Sequence, residues 1–442
     1  MSLRSISKLV LQEARMLESL VTPSSNSAQS INDWRDSAAK FALFVFGIVL
    51  WHKASAIAAG SLLILMWILC GGLLQLRSII KEPLSVALLS FCGVLLLGLL
   101  WSDYPNSGRF RWDKYLGLLI FIPYLSLLNK DRLFWALGGL VIGCLMTLLL
   151  GLYYWFYLGV PGIPPLKMAY LHFSLGLGVG VLLAQYGINV SKSRRMKILI
   201  FVFCIFLIFI QFQLPGRGPL LATVVAVNFA FFLLIYNGNR RTFSIMVMTN
   251  VIIVCFFLTS GTILERVSSM NRNIVLSMSE NQIDPTANQT SVGERIAYLK
   301  MGIYAIEQKP WFGYGTGMAR KAFEENAERY EKGRYKDVLN YSPLHSLHYH
   351  NDLIEMGVFL GLLGISAYLF LLWGWFKSLQ MRGLTILGAT LVCFIFMSGL
   401  TDVILIYGQI PSLLLVITAI AIVWQREYGN LTRETERLRE SP

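Results

Sequence analysis

The chain has 442 residues, of which 55% are apolar and 14% charged, and a formal net charge of +13. A soluble domain carries about 25% charged residues. Solid apolar runs recur along the whole sequence, and a run of about eighteen or more reads as a membrane-spanning helix. The expectation is an all-α polytopic membrane protein. The runs do not alternate, which excludes an outer-membrane barrel. In such a protein the positive charge marks the cytoplasmic side rather than a nucleic-acid partner.

In chain order, residues 1–36 lack the apolar core of a cleavable signal peptide. Leu3, Ile6, Leu9, Val10 and Leu17 set against Arg4, Lys8 and Arg15 suggest a surface-lying cytoplasmic helix. Twelve spans are expected, at about 37–51, 54–76, 84–101, 115–128, 133–158, 168–188, 198–214, 219–236, 242–260, 351–376, 383–401 and 405–424. The chain thus divides into an N-terminal segment 1–36, helices 1–9 over 37–260, a loop 261–349, helices 10–12 over 350–424 and a cytoplasmic tail 425–442. With both ends cytoplasmic, short loops and tails divide their Lys and Arg 21 to 6 in favour of the cytoplasm. That is the positive-inside pattern. It makes 261–349 a periplasmic loop, with 11 basic and 10 acidic residues. Within it, Ser291 and Glu294 of SVGE have the spacing of a capping box. A helix should follow and end near KPWFGYGTG, and a second amphipathic helix should occupy about 318–332. Cys70, Cys92, Cys144, Cys204, Cys255 and Cys393 all lie in apolar runs, with no CxxC pair, and read as small core residues without disulfides.

Four features share the non-cytoplasmic side. Arg217 sits in QFQLPGRGP, a tight turn of glycines and prolines at a membrane surface. Its planar guanidinium suits a phosphate, against the alternative of an interfacial, snorkelling Arg. Arg295 lies in the first turn of the loop helix, where the helix N-terminus itself favours anions. His350 and Asn351 precede an apolar segment in which Ile354, Gly357, Gly361 and Gly364 would continue one helical face. A glycine stripe lets a neighbour pack closely, and a histidine near neutrality is the usual general base. His345, His348 and His350 are spaced three and two apart, which matches no familiar ligand pattern, so no metal is expected. Finally, Arg109, Arg111 and Lys114 lie in a short loop on the side that should be poor in cations, where they could hold an anionic head group. Asp402 receives no assignment, and His52 and His172 read as structural or interfacial. There is no P-loop and no dinucleotide fingerprint, so the energy for any reaction must come from an activated substrate.

These motifs, in this order, resemble the O-antigen ligase family, which shares its C-terminal signature with O-antigen polymerases and O-oligosaccharyltransferases. The resemblance rests on Arg217 in PGRGP, on Arg295 in SVGERIAYLKMGIYAIEQKPWFGYGTG, and on His350–Asn351 with Gly357, Gly361 and Gly364; it covers about 210–370. It implies a GT-C-type glycosyltransferase of the bacterial inner membrane with its active site on the periplasmic side. The donor would be an undecaprenyl-pyrophosphate-linked O-antigen and the acceptor a sugar hydroxyl of lipid A–core. No cofactor and no metal are implied. His350 would be the base, with Arg217 and Arg295 on the pyrophosphate, and the anomeric configuration would invert. His348, Asn351, Arg109, Arg111 and Lys114 are the expected substrate-binding residues. The rival readings are a polymerase, a protein-acceptor transferase, or a transporter of lipid-linked glycans. A transporter would place its ionisable groups at mid-membrane, whereas here they cluster at one surface.

Overall fold

The structure is a computed structural model that describes residues 25–103, 112–238, 241–259, 291–330 and 348–440. It is mostly helical. The helices are α1 Ser25–Val49, α2 Lys53–Leu69, α3 Gly72–Ile79, α4 Pro83–Leu97, α5 Phe121–Leu127, α6 Lys130–Leu152, α7 Tyr170–Val190, α8 Arg194–Gln213, α9 Arg217–Tyr236 and α10 Arg241–Thr259. After a break come α11 Ser291–Gln308, α12 Ala319–Ala327, α13 Asp352–Gln380, α14 Thr385–Gly399 and α15 Gln409–Glu440. Each expected span coincides with helical structure. Among the described residues seven helices are long and apolar enough to cross a membrane, or eight if one bent pair counts as a single span.

Three local departures have physical causes. The expected span 54–76 is broken: α2 and α3 meet at 97°. Gly71 is the hinge, at φ 75°, in the left-handed region that glycine adopts without steric cost. The expected span 115–128 is a 3-10 turn over Trp112–Ile120 that passes into the short α5. The connection after α6 holds a two-stranded antiparallel hairpin, Gly162–Ile163 against Met168–Ala169, so the chain is not wholly α.

Polar contacts inside an apolar bundle fix its register, because a polar group in hydrocarbon must find a partner within the protein. Gln211 Nε2 donates to Ser174 O at 2.9 Å and to Thr223 Oγ1 at 3.0 Å, locking the ends of α8, α7 and α9 together. Trp375 Nε1 donates to Thr418 Oγ1 at 2.8 Å between α13 and α15. At the end of the bundle remote from residues 349–352, Arg382 pairs with Glu82 at 2.9 Å and Arg132 with Asp36 at 2.7 Å. All six cysteines are free thiols. Cys92 and Cys204 are core residues as expected, but Cys255 is exposed.

The glycines of α13 act differently from the expected stripe. Gly361 is left-handed (φ 61°, ψ −145°) and breaks the helix, so the 0, 4, 7, 11, 14 spacing does not continue as one face. The break seats the Pro310–Gly315 turn. Tyr314 N donates to Val358 O (2.9 Å), Gly315 N to Phe359 O (2.8 Å) and Leu362 N to Pro310 O (2.7 Å). A Cβ on Gly361 would lie 2.4 Å from Pro310 O. On its other flank this turn meets the end of α4, where Thr316 Oγ1 donates to Leu95 O at 2.7 Å and Trp101 Nε1 to Phe312 O at 3.0 Å. Helices α11 and α12 are thereby pinned to the bundle at one end.

Candidate functional site

Residues 348–354 form an arch at the start of α13. Asn351 is the N-cap: its side-chain oxygen accepts from Leu353 N and Ile354 N at 3.0 and 3.1 Å. Its amide donates to Leu400 O at 3.3 Å, tying the arch to the end of α14. An Asn cap supplies orphan amide groups of the first turn with an acceptor. Tyr349 N donates to Glu355 Oε2 at 2.9 Å from the inner side, and Tyr349 is buried, with burial and then the charge of Glu355 pushing its phenol well above the usual range. His350, between them, is held at φ 49°, a conformation rare in non-glycine residues and found where surrounding contacts impose it.

This fold of the arch turns both imidazoles toward one carboxylate. His350 Nδ1 lies 3.1 Å from Asp402 Oδ1 and His348 Nδ1 lies 3.8 Å from the same oxygen. Asp402 is buried in the turn between α14 and α15 and also accepts from Val403 N at 2.8 Å. Burial opposes its ionisation; the hydrogen bond from His350, the charges of His350 and His348 and the Val403 amide outweigh it and hold the acid at about 2. At neutral pH Asp402 is therefore a carboxylate, which can only accept. The proton of a neutral His350 then sits on Nδ1, leaving Nε2 with its lone pair. The ring is braced on its face by Tyr298 of α11, with centroids 5.8 Å apart and planes 24° from parallel. Tyr298 is itself held by its hydroxyl, which donates to Glu294 Oε1 at 2.9 Å.

The turns that carry the two arginines reach this histidine through intermediate residues. Arg295 is exposed on the first turn of α11, one turn before Tyr298. Arg217 is exposed and opens α9, whose N-cap Gly216 makes no side-chain cap bond. Gly218 packs against Thr401, and a Cβ there would sit 2.5 Å from Thr401 Oγ1. Thr401 precedes Asp402, so a continuous path of contacts runs from the Arg217 turn through Thr401 and Asp402 to His350, and on through Tyr298 to the Arg295 turn. Arg217, Arg295 and His350 come to the same end of the bundle. Half-buried Lys114 belongs to the 112–120 turn, which packs against the 404–406 turn just beyond Asp402. Arg109, Arg111 and His345 lie outside the described residues. His348 is buried beside His350, with ring centroids 4.0 Å apart. Asn351 is occupied with capping, and both of its polar atoms bond the chain. His172 packs its ring on Tyr407 at 4.3 Å, and His52 caps α2 through Ser55.

Asp402 is the residue that sequence reasoning left without a role. It lies 52 positions from His350, and only the fold brings them together. A lone acid in an otherwise apolar outer turn, VILIY on one side and MSGLT on the other, was the available signal.

An O-antigen ligase family model matches residues 179–369, which contain Arg217, Arg295 and His350. Over that stretch the chain resembles the O-antigen ligases. A curated O-antigen ligase of Escherichia coli (strain K12) is 29% identical over 189 residues, which are 42% of this chain and 42% of that protein. The chain thus matches less than half the length of this curated relative. The O-antigen-ligase-like segment ends within α13, so the turn that carries Asp402 lies beyond it.

Proposed function

We propose that the protein is a glycosyltransferase of the ligase kind, moving a glycan from a lipid pyrophosphate carrier to a sugar hydroxyl. The observation that carries this reading is a histidine whose Nδ1 faces a buried carboxylate at 3.1 Å, at the end of the bundle where the helices bearing exposed Arg217 and Arg295 begin. The proposed donor is an undecaprenyl-pyrophosphate-linked O-antigen, and the proposed acceptor is lipid A–core at the periplasmic face of the inner membrane, with both termini cytoplasmic and twelve spans in all.

In this mechanism Nε2 of His350 removes the proton of the acceptor hydroxyl. The oxygen attacks the anomeric carbon from the face opposite the pyrophosphate, and the configuration inverts. The carbon–oxygen bond to pyrophosphate breaks, and the departing charge is met by Arg217 and Arg295. The N-terminal ends of α9 and α11 add their partial positive charge. Each arginine–phosphate hydrogen bond contributes about 1.5–3 kcal/mol, and a positioned base gives about 10²–10⁴ in rate. Asp402 is a positioning residue: it fixes the tautomer of His350 and stabilises the imidazolium as it forms. Pyrophosphate is already a good leaving group, so the protein supplies placement and charge.

A lipid tail has a place to go. An apolar cavity of about 670 Å³ runs between α6, α7, α8, α14 and α15, lined by Trp51, Cys144, Phe173, Leu387, Ile417 and Trp424 among others. Phe173 adjoins His172, which packs on the turn that follows Asp402. The test is reaction of the purified full chain with lipid-linked glycan and lipid A–core in the presence of EDTA. A glycan-bearing lipid A–core product supports the reading. Glycan joined only to a second lipid-linked glycan makes the protein a polymerase, and movement without bond formation makes it a transporter.

A further inference from the structure

The site contains more ligating capacity than a base needs. The backbone N–H of His350 donates to His348 Nδ1 at 3.3 Å, which makes that nitrogen the acceptor of its ring. The same nitrogen faces Asp402 Oδ1 at 3.8 Å. The one proton shared with Asp402 belongs to His350. One ring nitrogen of His348, one of His350 and a carboxylate oxygen of Asp402 all lie within 4.8 Å of one another. Two ligands about 2.1 Å from a tetrahedral zinc ion are about 3.4 Å apart. The observed separations from Oδ1, 3.1 and 3.8 Å, bracket that distance. Two imidazoles and one carboxylate favour Zn²⁺, Co²⁺, Ni²⁺ or Cu²⁺ over Mg²⁺ or Ca²⁺, which want oxygen ligands.

We propose that His348, His350 and Asp402 form a transition-metal site whose occupation switches the transferase off. A metal on Nδ1 of His350 takes that nitrogen's lone pair, so the single N–H proton of the neutral ring moves from Nδ1 to Nε2. Nε2 then donates and can no longer accept the acceptor's proton. The metal also takes the carboxylate that orients the ring. The binding half stands on the geometry of the three ligands; the inhibitory half rests on His350 being the base.

The test is titration of the purified full chain in detergent with Co²⁺, read by its visible d–d absorption, and then with Zn²⁺ as competitor. One ion should bind per chain. His348→Ala and Asp402→Asn, each checked for an unchanged elution volume, should weaken binding at least tenfold. Saturating Zn²⁺ should lower transfer at least tenfold, with recovery on chelation. Arg295→Ala separates the two readings: it should lose transfer and keep the cobalt band. No cobalt band in the wild type, or a band unchanged in both ligand variants, overturns the site. Full transfer with the site loaded overturns the switch.

Discussion

Replacing Asp402 by Asn changes one atom and removes the charge that faces His350. In the folded protein the Asp402 acid is held at about 2, against the usual 3.8, and the histidine pair supplies the main lowering effects. At 1.36 kcal/mol per pKa unit, that depression corresponds to about 2–3 kcal/mol of preference for carboxylate beside imidazolium. Imidazolium beside carboxylate is what forms as His350 takes the acceptor proton. Losing that preference raises the barrier by a similar amount, which is about 10²-fold in rate. An amide adds a second defect: its NH₂ can donate to Nδ1 and drive the ring proton to Nε2. We therefore expect Asp402→Asn to lower kcat at least 10²-fold, with the KM for the lipid-linked donor nearly unchanged because both arginines remain. The assay is the reconstituted transfer reaction with EDTA present, run from pH 6 to pH 9, with thermal unfolding in detergent as the control for fold. An unchanged kcat in a folded Asn variant would refute the assignment of Asp402 as the positioning residue. A higher KM at unchanged kcat would place it with donor binding instead.

Four further outcomes follow from the same geometry. His350→Ala and Arg217→Ala should each yield folded protein that transfers no glycan in the reconstituted assay; wild-type transfer by either removes that residue from the mechanism. Arg295→Lys should also lose transfer, because a point charge cannot make the two-point contact of a guanidinium; retained activity would reduce Arg295 to a simple counter-charge. Gly361→Ala places a Cβ 2.4 Å from Pro310 O at φ 61°, and should cost about 1–3 kcal/mol through backbone strain, seen as a lower unfolding midpoint. Acid stability should follow Asp402. Its folded pKa is depressed, so its contribution is fully present above about 3.8 and is lost as pH falls toward about 2. The Asn variant should show a shallower loss across that interval in an acid-unfolding titration.

The helices were legible because a lipid-facing helix must be apolar around its circumference, and the sequence shows those runs directly. Their interruptions were not legible. The hinge at Gly71 is buried in a run in which glycines are common, and nothing local separates a hinge glycine from one that admits a neighbour. Gly361 shows the same ambiguity. Its spacing suggested a packing stripe, while its left-handed backbone instead opens the helix to take the Pro310–Gly315 turn. Arg217, Arg295 and His350 stood out because charge beside an apolar run, or within a glycine–proline turn, is costly unless it has a task. Asp402 lacked that contrast. Its meaning depends on a contact across 52 residues, and on the φ of His350, neither of which a local pattern encodes. His348 was misleading in the same way, since the third member of its cluster is not a neighbour in sequence.

The central claim is that one pyrophosphate is gripped between Arg217 and Arg295 with His350 facing the bond that breaks. Structure determination of the full chain with an unreactive analogue of the lipid-pyrophosphate glycan tests it most directly. The account predicts both phosphates within hydrogen-bond reach of the two guanidinium groups and Nε2 of His350 on the side away from the leaving oxygen. Phosphates seated elsewhere, or Nε2 turned from the anomeric carbon, would contradict it.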